Sequence, residues 1–283
     1  MERIDDLQRG GLRLVQDTDG FCFGIDAVLL ADFAKVRPGE RVLDLCSGNG
    51  AVPFLMMGRY ESTAYVGVEL QERACALARK SIELNHVQDR FQIIQGDIRE
   101  LPGLGSPDGL CAATGLDAAT GLDAVTGLDA APGLGRFDAV TVNPPYVKVT
   151  ETSLKSGKEE LLLARHEVAC TLSDVLEAAA LSLKPKGRLY MVHRPSRLKD
   201  ILLECENYNL EPKTLRFVYP YVDRAPEQVL LMCVKGGGKE LKVLPPLITY
   251  DAPGVYTKEV KEIYGLESKA AADDPDETEA ANT

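Results

Sequence analysis

An α/β chain of the Rossmann-like type, built on a mostly parallel seven-stranded sheet, is predicted by three observations. Arg41–Leu45 is an apolar strand that runs into the turn Cys46-Ser47-Gly48-Asn49-Gly50 and then into a helical stretch over 51–60. Strand, glycine turn and helix form the first unit of a doubly wound fold. Strand-like and helix-like segments then alternate, which predicts parallel strands with right-handed crossovers. The last two strand segments, 213–219 and 228–234, follow one another with no helix between them, so they are expected to close the sheet as an antiparallel hairpin.

The elements justify themselves in order. Leu12–Gln16 reads as a short strand, and Gly24–Ala34 as a helix with Ile25, Val28, Leu29 and Phe33 on one side. Strands are expected at 41–46, 64–69, 91–95, 137–142 and 187–193, with helices at 51–60, 71–85, 171–184 and 196–206. The carboxyl ends of the parallel strands then gather Gly48, Gly50, Glu69, Asp97 and Asn143 along one edge, where such sheets bind ligands.

Two stretches on that edge carry chemistry. A dinucleotide site asks for Gly-x-Gly-x-x-Gly, with a pyrophosphate on the helix N-terminus. Here the third position is Pro53, and Asp44 just before the turn repels a pyrophosphate. Glu69 follows the turn by about 20 residues, the spacing at which an acid meets ribose hydroxyls. Gly96-Asp97-Ile98 adds a third acid, placed to accept from an adenine amino group. Three acids at successive strand ends, with no basic residue in the loops, favour S-adenosylmethionine (SAM) over a nicotinamide dinucleotide. Each acid taken singly also fits a solvated strand end or a helix N-cap.

The second stretch is Asn143-Pro144-Pro145-Tyr146. The side-chain oxygen of Asn143 and the carbonyl of Pro144 are two acceptors side by side, suited to a planar NH2 group. Tyr146 offers a face for stacking. The lone pair of such a nitrogen is delocalised, and holding both N–H bonds frees it for attack. A Pro-Pro pair can also simply end a strand. The flanking Asn and Tyr and the upstream glycine turn favour the catalytic reading, with Asn143, Pro144 and Tyr146 as its residues.

These stretches, with Phe21–Leu30, Ala164–Glu167 and Met191–Pro195, resemble the class I SAM-dependent amino-methyltransferases, and more closely the bacterial valine-tRNA adenine-N6 methyltransferase family. The likeness runs from about Ile4 to Tyr264 and breaks at roughly 104–135. Cys46 stands where many such proteins have the first glycine of the loop. The resemblance implies a class I methyltransferase fold, SAM as cofactor, and an anticodon-loop adenine of tRNA as substrate. It implies SAM contacts from Phe23, Gly24, Asp26, Asp44, Gly48, Gly50, Glu69, Asp97, Ile98 and Asn143. Pro145, Lys148, Arg165 and Arg194 are the expected substrate contacts, with 148–158 as a lid over the base. Glutamine N5-methylation of a release factor and DNA adenine methylation use the same four-residue motif. Against them stand the roughly forty residues before the glycine turn and the lack of a target-recognition domain. A non-catalytic SAM- or RNA-binding protein is the alternative of another class.

Composition bounds the rest. The chain has 283 residues, enough for one large domain with a substantial core. Its charged opening and the lack of a long apolar run predict a soluble cytoplasmic protein, expected to be a monomer. Seven scattered cysteines without a Cys-x-x-Cys pair read as reduced thiols, and no metal site is expected. The net charge of −11 is unusual for an RNA binder. However, 267–283 alone carries six acids and one lysine, whereas 184–242 carries twelve Lys/Arg against seven Asp/Glu. A local basic face can coexist with an acidic whole.

The expected organisation is a cap segment at 1–40, a methyltransferase domain at 41–235, an extension at 236–266 and a disordered acidic tail at 267–283. Within the domain, Ala113–Leu134 repeats Thr-Gly-Leu-Asp-Ala with a period of six. Units this small bury little surface, so 104–135 is expected to be a disordered insertion. Replacing 106–134 with a short glycine linker should leave the melting temperature and SAM affinity unchanged, because loop closure depends only weakly on length. A fall of many degrees in differential scanning calorimetry would show that the repeat is packed.

Overall fold

The computed structural model describes residues 1–18, 20, 22–61, 63–101, 137–144 and 170–266. The repeat insertion, the 148–158 lid and the acidic tail of the sequence reading lie outside the described residues.

The chain opens with a hairpin of β1 (Glu2–Asp6) and β2 (Arg13–Asp17), paired from Glu2 opposite Asp17 to Asp6 opposite Arg13. Only β2 was expected. β1 is mostly exposed and highly charged, so it carries no apolar period to read. Helix α1 (Ile25–Phe33) follows, then β3 (Arg41–Leu45), α2 (Ala51–Met57), β4 (Ala64–Glu69), α3 (Glu72–Leu84) and β5 (Phe91–Gln95). After β6 (Phe137–Val142) come α4 (Leu172–Ser182), β7 (Leu183–His193), α5 (Leu198–Asn207), β8 (Leu210–Tyr219) and β9 (Gln228–Lys235).

The main sheet runs β5-β4-β3-β6-β7-β9-β8, with β9 antiparallel to both neighbours. The seven strands and the closing hairpin are those expected. Two short strands, β10 (Lys242–Val243) and β11 (Leu247–Ile248), extend the sheet by pairing parallel with β8. The chain moves outward from β3 to β5, then returns to lay β6 on the other side of β3. That reversal is the switch point of the sheet, and it sets the loop after β3 beside the end of β6. Neighbouring strands are about 4.8 Å apart, so the glycine turn and Asn143 are forced into one crevice.

Side chains alternate across the sheet between two apolar layers. Val42, Tyr65, Ala139, Tyr190 and Leu230 pack under α1 and α2. Leu43, Val66, Val140, Leu189 and Leu231 pack against α4 and α5. Helix α4 begins with a capping box in which Thr171 and Asp174 satisfy each other's backbone N–H groups. Helix α2 is shorter than expected, ending at Met57 with Gly58 as its C-cap. Pro53, the residue in place of the third glycine, sits in its first turn, where its missing N–H costs nothing. β7 begins earlier than expected because α4 passes directly into it at Leu183, with an irregularity around Lys186 at φ +65°.

After β9 the chain adds a hairpin of β12 (Tyr250–Ala252) and β13 (Val255–Tyr256), and helix α6 (Lys258–Tyr264). Tyr250, Tyr256 and Tyr264 stack at centroid spacings of 5.2 and 5.1 Å. The C-terminal carbonyls of α6 receive two guanidinium groups. Arg9 donates to Glu262 and Ile263, and Arg59 donates to Ile263 at 2.6 Å. Cations at a helix C-terminus are favoured by the helix dipole. The Arg59 side chain is 8% exposed, and burial lowers its pKa. Arg59→Ala should therefore cost about 1.5–3 kcal/mol of stability in denaturant unfolding, the value of a hydrogen bond from a charged donor. An effect within 0.5 kcal/mol, the scale of ordinary surface substitutions, would mean that α6 is held by its apolar face alone.

Candidate active site

The turn after β3 is left-handed at three residues, with φ +55° at Cys46, +58° at Gly48 and +84° at Gly50. Gly50 is fixed sterically as well, since a Cβ there would stand 2.8 Å from the Phe91 ring. Cys46 adopts the conformation that a glycine would take without strain. The turn is held by hydrogen bonds from outside it. The backbone N–H of Ser47 donates to the Val68 carbonyl at 3.1 Å, and that of Gly48 to Glu69 Oε2 at 2.8 Å. Glu69 Oε1 accepts from Gln71 N at 2.9 Å, so one carboxylate ties the glycine turn to the start of α3. Gly67 allows this approach: a Cβ there would meet Ser47 Oγ at 2.6 Å.

Asp44 lies beneath the turn and is 2% exposed. Ser47 Oγ donates to its Oδ2 at 2.7 Å, and Thr141 Oγ1, from the adjacent strand β6, donates to its Oδ1 at 2.6 Å. Burial pushes its pKa up to about 7; the two hydroxyls oppose this and Glu69 adds to it. Ser47 and Thr141 were not singled out in the sequence. The available signal was a hydroxyl inside the buried run 137–142.

Asn143 follows β6 and is half-buried; its Nδ2 donates to Asp26 Oδ2 at 3.0 Å. Asp26 lies in the first turn of α1, and its Oδ1 accepts from Ala27 N at 3.0 Å. Gly24 caps that helix in extended backbone, and the N–H of Phe23 donates to Gln16 Oε1 at 3.0 Å. The structure thus brings Asp26, Asp44, Gly48, Gly50, Glu69 and Asn143 to one edge.

Three other expected residues have these settings. Asp97 caps the short 3-10 turn at Ile98–Glu100, accepting from Arg99 N at 2.9 Å and pairing with the Arg99 guanidinium, which pulls its pKa down. Its carboxylate is in the N-cap arrangement. Ile98 is buried in the core with Val66 and Val68. Arg194 is exposed at the end of β7. Pro145, Tyr146, Lys148 and Arg165 lie outside the described residues.

His193 also ends β7 and is 3% exposed, with Nδ1 accepting from Arg194 N at 2.8 Å. Burial, and then Arg197, hold its pKa down at about 4, so it is neutral. It lines a narrow cleft with Pro144, Cys170, Thr171 and Arg197. Cys46 and Cys170 bring their sulfurs within 3.9 Å, and Cys205 and Cys233 within 3.8 Å, all as free thiols. Among the described residues no group of three or more His, Cys, Asp or Glu side chains could hold a metal ion. No described helix is long and apolar enough to cross a membrane.

Comparison with known proteins bears on this crevice. A family model described as a methyltransferase domain matches residues 42–125. A Porphyromonas gingivalis protein named tRNA1(Val) (adenine(37)-N6)-methyltransferase is 28% identical over 211 residues, 73% of this chain and 72% of that protein. A Haemophilus influenzae protein of the same name is 25% identical, covering 86% and 89% of the two chains. The chain is a SAM-dependent methyltransferase. The fold of the methyltransferase agrees with that of a solved structure, a predicted O-methyltransferase from Agrobacterium tumefaciens. The two share 20% identity and a TM-score of 0.61 over 84% of this chain and 95% of the other. SAM suits the crevice: buried carboxylates at the ends of β3 and β4 favour a cationic ligand, and the left-handed turn gives it a close backbone approach.

A pH dependence follows from Asp44. Its folded pKa is raised, so protonation favours the fold below the ordinary carboxylate value, and that stability is lost as pH rises through about 7. From pH 4 to 8 the ligand-free methyltransferase should lose on the order of 4 kcal/mol through this group. Asp44→Asn should lack most of that loss when unfolding curves are compared across the range. Parallel pH profiles for the two proteins would place the ionised carboxylate in a better solvated site.

Proposed function

We propose that this methyltransferase transfers a methyl group from SAM to the exocyclic N6 of an adenine in tRNA. The observation that carries the reading is Asn143, held at the end of β6 beside the glycine turn of β3. Two proteins that the chain resembles over most of its length carry tRNA adenine-N6 methyltransferase names, which supports the substrate class.

SAM supplies an electrophilic methyl group on a sulfonium. The chain's own residues bind and orient. Glu69 accepts from ribose hydroxyls, and Asp44 provides negative charge under the turn for the cationic end. The Asn143 oxygen and the Pro144 carbonyl each accept one N–H of the adenine amino group, which turns the nitrogen lone pair towards the methyl group; as the N–C bond formed, the S–C bond would break to leave the neutral thioether S-adenosylhomocysteine, and one N–H proton would pass to water. Proximity then supplies much of the rate. Tyr146 stacks on the base, and Arg194 meets a phosphate. An anticodon-loop base is already partly unstacked, so little energy is spent in extruding it. Acting on tRNA, the enzyme works in the cytoplasm.

The test is single-turnover methylation with labelled SAM of unmodified tRNA, a release factor and DNA in parallel. Label should enter the tRNA. Asn143→Ala should reduce transfer by about 100- to 1,000-fold, since it removes an acceptor used mainly as the nitrogen becomes nucleophilic. SAM affinity by calorimetry should stay within about twofold, well inside the tenfold that 1.4 kcal/mol represents. Near-normal transfer by this variant would reduce the motif to a structural turn. Label in the protein or DNA alone would reassign the substrate.

A further inference from the structure

Asn143 is useful only in one of its two amide orientations. An adenine amino group offers two N–H donors, so the oxygen of the Asn143 side chain must face it. Rotation of the amide by half a turn exchanges oxygen and nitrogen at almost no cost in shape. The flipped form presents an NH2 to an NH2 and repels the substrate. Something must therefore choose between the two forms before substrate arrives.

We propose that Asp26 is the positioning residue that makes this choice. This rests on the reading of Asn143 as the acceptor of the reacting amino group. Asp26 Oδ2 accepts from Asn143 Nδ2 at 3.0 Å across 117 residues of sequence. A carboxylate is acceptor-only, so it takes the nitrogen end of the amide and repels the oxygen end. The preference is strong because Asp26 is only 9% exposed and water does little to screen it. The charge also polarises the amide along the productive direction and makes its oxygen a better acceptor.

The carboxylate is itself fixed. Its other oxygen accepts from Ala27 N at 3.0 Å in the first turn of α1, where a negative charge suits the helix dipole. Gly24 leaves room for it, since a Cβ there would stand 2.8 Å from Asp26 Oδ1. Of the Asp26 carboxylate, Oδ1 answers Ala27 N–H and Oδ2 answers Asn143 Nδ2–H. Asparagine at position 26 offers one oxygen and one NH2, so one of the two donors loses its partner. Glutamate keeps both oxygens but displaces them by one methylene.

The experiment is a double-mutant cycle on transfer to unmodified tRNA, with SAM binding and melting temperature measured for each protein. Asp26→Asn and Asp26→Ala should each lower kcat by about 10- to 100-fold, the usual scale for one hydrogen bond to a charged group. KM for tRNA should change less than kcat, and SAM affinity should stay within about twofold, because the effect acts through the acceptor and not through binding. In an Asn143→Ala background the same changes at position 26 should cost nothing further, since residues acting as a unit are non-additive. An equal further loss in that background, or a fall in SAM affinity matching the fall in kcat, would overturn the proposal and make Asp26 a cofactor ligand. A readout independent of substrate is the side-chain 15N–1H pair of Asn143 in an asparagine-labelled sample. Its two proton shifts should be widely separated in the native protein and should collapse towards exposed-amide values in Asp26→Asn. Unchanged shifts would equally overturn it. If Asn143→Ala keeps near-normal transfer, the reading of the motif fails; if Asn143→Ala is inactive while Asp26→Asn is fully active, only the positioning role fails.

Discussion

The carboxylate of Glu69 closing on the backbone N–H of Gly48 is the interaction on which the active edge depends. The turn satisfies the Gly50 N–H internally, on the Ser47 carbonyl at 2.9 Å, but not that of Gly48, and one oxygen of Glu69 supplies the missing acceptor. The other oxygen fastens Gln71, the N-cap of α3. Two crossovers of the sheet are thereby referred to a single side chain at the end of β4. The close approach is possible because Gly67, two residues earlier, presents no side chain to Ser47. Sequence dictates the turn, the turn dictates where a ligand can approach, and the strand order dictates that Asn143 stands beside it.

The same edge concentrates negative charge, and among the described residues no lysine or arginine pairs with Asp44 or Glu69. Asp44 is supported by hydroxyls only, and these stabilise an ionised carboxylate much less than a guanidinium would. Asp97 shows the contrast: Arg99 lies against it and pulls its pKa down, whereas burial pushes that of Asp44 up against the pull of its two hydroxyls. The crevice is therefore strained electrostatically in the direction that a cationic ligand relieves. That is the physical basis for SAM in place of an anionic dinucleotide, and it agrees with Pro53 standing where a third glycine would be.

What was legible in the sequence was local. The strands of the parallel half, the glycine turn, the acids at strand ends and the motif at 143–146 each show in a window of a few residues. What stayed hidden was set by pairing at a distance. β1 is invisible because its partner β2 supplies the order, while its own residues are charged and exposed. β8 begins three residues early because an irregularity near Pro212 lets the ladder with β9 continue past the proline. Thr141 looks like an ordinary strand residue until the register of β3 and β6 sets it opposite Asp44. Asp97 illustrates a residue type read correctly as a strand-end acid while its partner, Arg99, escaped notice two positions away. Asp26 and Asn143 were both named from the sequence, yet their bond to each other belongs to the tertiary structure alone.

Helix α6 gives the molecule a property that none of its parts has singly. Its final carbonyls are shared by Arg9, from the turn of the opening hairpin, and by Arg59, from just beyond α2. Gly265 also closes against Arg9, where a Cβ would stand 3.2 Å from the arginine stem. Segments some 250 residues apart in sequence are thus held by one helix end. Opening of that helix end removes hydrogen-bond partners from both at once. Amide protons in the opening hairpin and in the closing helix should then exchange through a common opening, and the loop that receives SAM is joined to that opening through α2.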